Sequence, residues 1–436
     1  MSSKKEKSKN ILQTVKGMHD ILPQEYIIYK YIYEKAEEIA SYYGFMNIAT
    51  PHLEKTDLFT ASLGDSSDIV EKQMYSLKTK GGDKLTLRPE GTAPIMRSYI
   101  ENGMQTWPQP VMFQYQGSFF RHEKPQRGRL REFHQFGLEI LGEEKAIAEA
   151  IIIKILFLTL GEIGIKNVMV HINSLGDKGC RNAFRKELVN YYRKKINSAC
   201  GDCKKRFYKN PLRLLDCKEE KCIEIKNEAP QMIDFMCTEC KQHFKEVLEF
   251  LDTNEIPYSL NTRLVRGLDY YSRTVFEFIE ETENEIDQAN FALGGGGRYD
   301  YLSQMLSNKK IPAVGGALGV DRIAQLISEK QIKIKSSKEI KIFFIQLGSA
   351  AKHKSLKIIE MFRKNHIPLM QSISKDTLKS QLRIASRLNM SYALILGQKE
   401  AMEESIIVKN METSAQETVP IEKVVEFAKN KLKQND

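Results

Sequence analysis

With 436 residues, a net charge of +10, 42% hydrophobic and 28% charged residues, the chain exceeds one ordinary core and is too apolar to be disordered. Two or three domains are expected, and the basic excess favours a polyanionic partner, nucleic acid ahead of a membrane surface. No apolar run reaches the roughly 18 residues of a membrane span; the longest, 150–160, is interrupted by Lys154, so no membrane association is expected.

In chain order, MSSKKEKSKN is charged and no apolar segment follows it. It reads as a basic disordered tail over 1–12 rather than a secretion signal, which places the chain in the cytoplasm with its thiols reduced. An amphipathic helix is predicted over 20–43, entered after Pro23, with a turn at Gly44 into a strand ending near Pro51. Leu85, Leu87 and Pro89 close another strand. Thr92 can cap a helix from Ala93 to about Ile100, with Pro94 tolerated in its first turn. A hairpin follows, then a helix from about Glu144 to Leu160.

The region 165–254 changes character. It is Lys-rich, helical in pattern, holds all seven cysteines and reads as an insertion. Strand and glycine signals resume at Arg263–Ile279 and Phe291–Arg298. A helix starts near Val320, and 331–341 is a linker. Beyond it, over 342–436, IKIFFIQL, a helix, IPLMQSIS, a helix and YALILGQ alternate, as in a small α/β domain with a mostly parallel sheet.

The hairpin GSFFRHEKPQRGRLREFHQFGLE (117–139) is the most informative segment. By period two, Phe133, Gln135, Gly137 and Glu139 share one strand face, and His134, Phe136, Leu138 and Ile140 the other. An amide and a carboxylate on a face with an aromatic each need a partner. Arg121 stands just before the tip, which adds Lys124, Arg127 and Arg129. The set suits a small polar molecule with phosphates nearby. LTLRPEGTAP places Glu90 and Thr92 at a strand-to-helix turn, and LVRGLDYYSRTVFEF places Arg266, Tyr270 and Tyr271 at another strand. ALGGGGRYD and AVGGALGVDRI supply glycines that let backbone approach a ligand, each followed by an arginine.

These motifs resemble the class II aminoacyl-tRNA synthetases, and within them the histidyl-tRNA synthetase family. FRHE (120–123) with FHQFGLE (133–139) is similar to the second class motif, GALGVDR (316–322) to the third, and Gly44-Phe45 with Pro51 to the first, the dimer-forming one. RGLDYY (266–271) resembles a signature of the histidine enzymes and their close paralogues. The resemblance implies an α+β catalytic domain over 13–164 and 255–330, an antiparallel sheet flanked by helices. It adds the mostly helical insertion and a C-terminal α/β anticodon-binding domain. It implies a histidine–tRNA ligase that joins L-histidine and ATP, with Mg²⁺, into histidyl-adenylate and pyrophosphate, then passes histidine to tRNA(His), working as a homodimer. It assigns Arg121, Glu123, Arg266 and Arg322 to ATP, with Arg121 and Arg266 catalytic at the α-phosphate. Glu90, Thr92 and Gln135 hold the backbone of histidine. Glu139 and Tyr271, with Tyr270 beside them, read the imidazole, which offers one N–H donor and one acceptor. Lys124, Gln126, Arg127 and Arg129 meet the acceptor end of tRNA, and Lys375, Lys379, Arg383 and Arg387, at spacing four, form a basic helix face for nucleic acid. The rival reading is a catalytically inert paralogue that regulates histidine biosynthesis. Such paralogues lose ATP-contacting arginines and the C-terminal domain, both of which this chain retains.

A regular strand would send Arg266 and Tyr271 to opposite faces, so Gly267–Asp269 must turn or bulge for both to reach one site. Among the cysteines, Cys200-x2-Cys203 and Cys237-x2-Cys240 are each a zinc-type pair, with Cys217-x4-Cys222 between them and Cys180 apart. The gap of 33 residues between the pairs is long for one ribbon, and six candidates exceed the four ligands a tetrahedral ion takes. One structural zinc on four of the six, or reduced thiols in a helical insertion, both remain open.

Overall fold

The computed structural model describes residues 12–64, 67, 69–281, 292–334 and 341–433. The chain divides into two compact units, 1–335 and 336–436. The tail placed at 1–12 and the linker placed at 331–341 lie mostly outside the described residues.

In the first unit, Pro23 starts α1 (Pro23–Tyr42), and Gly44, at φ +83°, turns the chain into β1 (Met46–Asn47). There follow β2 (Leu53–Lys55), α2 (Thr56–Leu63), β3 (Ser76–Lys78), β4 (Lys84–Leu87) and α3 (Thr92–Glu101). The expected hairpin is β5 (Val111–Phe120) and β6 (Glu132–Leu141), and the apolar run after it is α4 (Ile147–Glu162). Then come β7 (Val168–Ser174), α5 (Lys178–Lys195), α6 (Gly201–Lys209), α7 (Glu220–Asn227), α8 (Thr238–Thr253) and β8 (Tyr258–Leu260). The unit closes with β9 (Ser272–Glu280), β10 (Ala292–Arg298), α9 (Leu302–Leu306), β11 (Ala313–Gly319) and α10 (Val320–Glu329).

Eight strands form one sheet in the order β1-β5-β6-β11-β10-β9-β7-β8. The six inner strands are antiparallel, and β1 and β8 each join an end in parallel, so the sheet is mixed. β7 pairs with β9 and so belongs to this sheet, although it falls within 165–254; the cysteine-rich helices begin only at Lys178. β2, β4 and β3 form a separate small antiparallel sheet.

The two faces of the large sheet carry different chemistry. On one, Phe136, Leu138 and Ile140 of β6 join Val314 and Leu318 of β11 and Phe276 and Phe278 of β9 in an apolar core with α1, α4 and α10. α4 buries Ile152, Ile153, Ile155, Leu156 and Leu160 completely, as an all-round apolar helix should. On the other face the residues opposite one another are small or polar. Gly315 of β11 stands between Glu139 of β6 and Gly297 of β10, and Ala317 stands between Gly137 and Gly295, which in turn faces Glu277 of β9.

Arg298 ends β10 fully buried. It donates to both carboxylate oxygens of Glu149, to Asp300 at 3.1 Å, and to the carbonyls of Glu143 and Lys145 at 2.8 and 3.1 Å. Its fork is spent on structure, so the arginine after the first glycine run serves no ligand. It anchors the strand end that presents Tyr299.

The second unit has a sheet in the order β13-β12-β14-β15-β16. Its strands are β12 (Ile342–Gln346), β13 (Met370–Gln371), β14 (Tyr392–Leu396), β15 (Ser405–Asn410) and β16 (Gln416–Pro420). The first three are parallel as expected, and β15 and β16 add an antiparallel hairpin. Helices α11 (Gly348–Lys364), α12 (Leu378–Arg387), α13 (Gln398–Met402) and α14 (Val424–Lys433) pack with it. α12 is capped by Thr377 and exposes Lys379, Arg383 and Arg387 while burying Gln381 and Ala385. Lys375 precedes the cap, so the basic face has three helical members rather than four.

Replacing Arg298 by Met leaves Glu149 and Asp300 buried without their counter-charge. Arg298→Met is expected to cost about 3–5 kcal/mol, measured as a lower urea midpoint at unchanged slope.

Candidate functional site

The polar face of the sheet is a glycine floor. A Cβ on Gly315 would lie 1.6 Å from Glu139 Oε2, one on Gly137 2.2 Å from the Tyr115 ring, and one on Gly297 2.9 Å from the Tyr271 ring. One on Gly295 would lie 3.0 Å from the Arg266 guanidinium. Each of these glycines therefore makes room for one polar side chain lying over the sheet.

Glu139 is the centre. Its Oε1 accepts from Thr92 Oγ1 at 2.7 Å and from the Tyr115 hydroxyl at 3.4 Å, and its Oε2 accepts from the Tyr299 hydroxyl. Burial pushes its carboxyl up to about 8, against the pull of the Tyr299 and Thr92 hydrogen bonds, with Glu90 adding repulsion. Burial likewise raises the phenols of Tyr115, Tyr270, Tyr271 and Tyr299, which keeps them neutral donors at pH 7.

Glu90 does the capping expected of Thr92. Its two oxygens accept the backbone N–H groups of Thr92 and Ala93 at 2.7 and 3.0 Å, closing the first turn of α3. That frees the Thr92 hydroxyl for Glu139. Tyr270 donates to Glu90 at 3.3 Å, and burial raises the Glu90 carboxyl despite those bonds.

Arg266 and Tyr271 are not on a strand, contrary to the sequence expectation. They lie in a loop that turns at 267–270, before β9 begins at Ser272, and the Arg266 guanidinium carbon is 6.0 Å from the Tyr271 ring centre. The required turn is present. Arg266 pairs with Glu277, its Nε is buried without a partner, and Glu277 restores the charge that burial opposes. Arg121 lies 5.1 Å over the Phe133 ring and donates its Nε to the Pro89 carbonyl at 2.9 Å. Its terminal nitrogens make no hydrogen bond among the described residues, and burial lowers its pKa. Gln135 lies on the same face between Gly117 and Gly319.

Arg322 donates to the carbonyls of Gly128 and Ala292 at 2.7 and 2.6 Å, which ties the hairpin tip to β10. In the tip, Gln126 and Arg129 bridge back on one another, Arg127 pairs with Glu329, and Glu123 lies 3.7 Å from Arg129. Arg127, Arg129, Gln126 and Lys124 are exposed, whereas Glu139 is buried.

Sequence reasoning missed Tyr115, Tyr299 and Glu277. Tyr299 had a signal, since it stands two residues beyond Gly297 and by period two shares the face of that glycine. It also missed a cavity of about 250 Å³ between the insertion and the Arg266 loop, lined in part by Arg181, Arg185, Lys209, Arg213 and Arg266. The thiols divide in an unexpected way. Cys200, Cys203, Cys217 and Cys222 are all buried with sulfurs within 4.8 Å of one another, whereas Cys237 and Cys240 lie with Cys180 and Asp177 instead. No single four-ligand set therefore draws on both CxxC pairs.

A family described as histidyl-tRNA synthetase matches residues 17–323, and one described as anticodon binding domain matches 341–431. The chain belongs to the histidyl-tRNA synthetase family. It is 40% identical to a histidine–tRNA ligase of Dehalococcoides mccartyi over 95% of this chain and 98% of the relative. It is 38% identical to one of Natranaerobius thermophilus over the same shares. Among solved structures it superposes on apo S. aureus histidyl-tRNA synthetase with a TM-score of 0.79 at 32% identity, covering 96% and 99% of the two chains. Family membership accounts for a mixed sheet flanked by helices and for a separate C-terminal α/β unit.

Glu139 gains its proton affinity only on folding, from an ordinary 4.5 to about 8. The folded state therefore holds the proton more tightly, and stability falls as pH rises from about 4.5 to about 8. Urea unfolding of Glu139→Gln without ligand is expected to lack this component, gaining on the parent protein between pH 5 and pH 8.

Proposed function

We propose that this protein is a histidine–tRNA ligase acting in two steps, with the Glu139 cluster as its amino-acid sieve. The observation that carries the reading is a buried carboxylate ringed by neutral hydroxyl donors on a glycine floor. An imidazole gives its N–H to Glu139 and takes a hydrogen bond from Tyr271. A side chain lacking both groups would strand this polar set unpaired, a loss that supports large discrimination without an editing domain. Glu90, Thr92 and Gln135 hold the ammonium and carboxylate of histidine; the Glu90 oxygens keep lone pairs beyond those given to α3.

ATP enters as its Mg²⁺ complex. The histidine carboxylate attacks the α-phosphorus, one P–O bond forms, and the bond to pyrophosphate breaks. Arg121, seated on Phe133 with its terminal nitrogens unspent, suits the α-phosphate oxyanion. Arg266 works beside it, and Arg322 with Glu123 serves the nucleotide end. The ribose hydroxyl of tRNA(His) then attacks the carbonyl and AMP leaves. Lys124, Arg127 and Arg129 hold backbone phosphate near the cleft mouth, with Gln126 reading a base edge. Lys379, Arg383 and Arg387 provide the second basic surface.

The regulatory alternative lacks support. Relatives named histidine–tRNA ligase match along nearly the whole chain, the anticodon-binding unit included. A homodimer is supported by the edge strand β1, whose neighbourhood exposes Tyr42, Tyr43, Met46 and Leu53. No helix among the described residues is long and apolar enough to cross a membrane, in keeping with action on tRNA in the cytoplasm. A structural zinc on Cys200, Cys203, Cys217 and Cys222 fits the geometry. Cys200 and Cys217 sulfurs are 3.8 Å apart, the edge of a tetrahedron with Zn–S bonds of about 2.3 Å.

ATP–pyrophosphate exchange with each of the twenty amino acids is expected to respond to histidine alone, and Glu139→Gln to cut kcat/KM for histidine by about 10²-fold or more. No exchange in folded protein that still binds histidine would overturn the ligase reading. Gln126→Ala is expected to slow tRNA charging about tenfold, a loss of one base contact, with exchange unchanged; equal loss of both would remove Gln126 from the tRNA interface.

A further inference from the structure

A second cluster of metal-ligating atoms has no part in the chemistry above. The ligand atoms of Asp177, Cys180, Cys237 and Cys240 all lie within 4.8 Å of one another, with Cys180 and Cys240 buried and the other two half-buried. The N-termini of two helices of the insertion meet here. Asp177 caps α5 through the Cys180 N–H at 2.8 Å, and Cys237 caps α8 through the Cys240 N–H at 3.5 Å. The Cys237 N–H points at Cys180 Sγ at 3.1 Å, and Cys237 Sγ lies 3.8 Å from Asp177 Oδ2.

One buried cysteine is ordinarily just a small apolar residue. Three sulfurs converging from two helices are not explained that way, and beside them Asp177, whose Oδ1 caps α5, turns its Oδ2 towards Cys237 Sγ. A disulfide explains them no better: no pair is bonded, and any bridge would leave the third thiol unused. Three cysteine sulfurs with one carboxylate in a set of four ligands suit a closed tetrahedral zinc site. The CxxC pair has the same local form as Cys200 and Cys203, where the Cys203 N–H points at Cys200 Sγ at 3.3 Å.

We propose that Asp177, Cys180, Cys237 and Cys240 bind a second structural zinc ion, and that this ion fixes the loop carrying Tyr271. Arg181 follows the ligand Cys180 and donates to the carbonyls of Asp269 and Tyr271. His243, one turn beyond Cys240, contacts Arg273 at 3.2 Å and Glu149 at 2.6 Å. Arg273 itself holds φ +49°, a strained conformation for a side-chain-bearing residue, and its N–H bonds to the Gly176 carbonyl beside the cluster. A metal joining α5 to α8 thus clamps the Tyr271 loop from both helices. The metal reading stands apart from the proposed function; only its effect on histidine rests on that function.

The test begins with zinc content of the full chain purified without added metal, by mass spectrometry. Two equivalents per chain are expected, with one lost in Cys180→Ala/Cys237→Ser and the other in Cys200→Ser/Cys217→Ser. No zinc in the parent protein would overturn the site, as would a single equivalent that survives Cys180→Ala/Cys237→Ser. These counts on the parent protein do not depend on any variant folding and do not involve activity. Asp177→Asn, which keeps the helix cap, is expected to raise KM for histidine about tenfold in pyrophosphate exchange while kcat and KM for ATP stay within about twofold. Two equivalents in the parent protein, one of them lost from Cys180→Ala/Cys237→Ser, with an unchanged histidine KM in that variant, would overturn the clamp.

Discussion

A buried carboxylate that has no salt-bridge partner among the described residues organises the catalytic unit. Glu139 lies in the middle of an antiparallel sheet, and desolvation alone would keep it protonated near neutrality. The fold meets that cost with hydroxyls rather than cations: Thr92, Tyr115 and Tyr299 all donate to it. Hydroxyls matter because they leave the charge unsettled. A guanidinium in their place would fix the carboxylate and leave nothing for a ligand to supply. Neutral donors leave a group whose state answers to whatever N–H group is placed against it.

The same requirement explains the glycines. A carboxylate and several phenols lying flat on a sheet need a floor without Cβ atoms, and the floor must span several strands. Gly137, Gly315, Gly297 and Gly295 lie on β6, β11 and β10 and supply it. Such strands contribute little packing on that face, so the sheet is held from the other side. There α1, α4 and α10 cover Phe136, Leu138, Phe276 and Phe278. Arg298 with Glu149 then locks the end of the glycine strand where no apolar side chain is able to.

Period two in β6 was readable because it is local: each residue type declares its face. The hairpin, α1, α3, α4 and the alternating C-terminal strands followed from such short-range signals. What escaped depends on pairing between distant segments. Tyr115 and Tyr299 reach Glu139 from β5 and from beyond β10, and nothing in their own neighbourhoods names that partner. Thr92 looked like a cap because its position fits one, but Glu90, two residues earlier, had both oxygens in reach of the N–H groups of Thr92 and Ala93 that open α3. The cysteines misled for a related reason. CxxC spacing marks a half-site, and only the folded helices reveal that Cys200-x2-Cys203 closes with Cys217 and Cys222, while Cys237-x2-Cys240 turns towards Cys180 and Asp177.

The insertion therefore reaches the loop that carries Tyr271 without touching the floor. Arg181 of α5 and Asn210, just past the end of α6, bond the backbone and side chain of the Asp269–Tyr271 segment. A loop holding Arg266 and Tyr271 over one site has to fold back on itself; Leu264, Tyr270 and Tyr271 bury its apolar side, and polar ties from the insertion hold its backbone. α5 and α8 of the insertion bury Phe184, Leu188, Tyr192, Phe244 and Val247 in the main core, so a cross-link between them would add to burial. Thiol clusters at the starts of α6 and α8 are where such cross-links would act. The position of Tyr271 over Gly297 then depends on an element outside the catalytic sheet, joined to it through α5 and the carbonyl groups it holds.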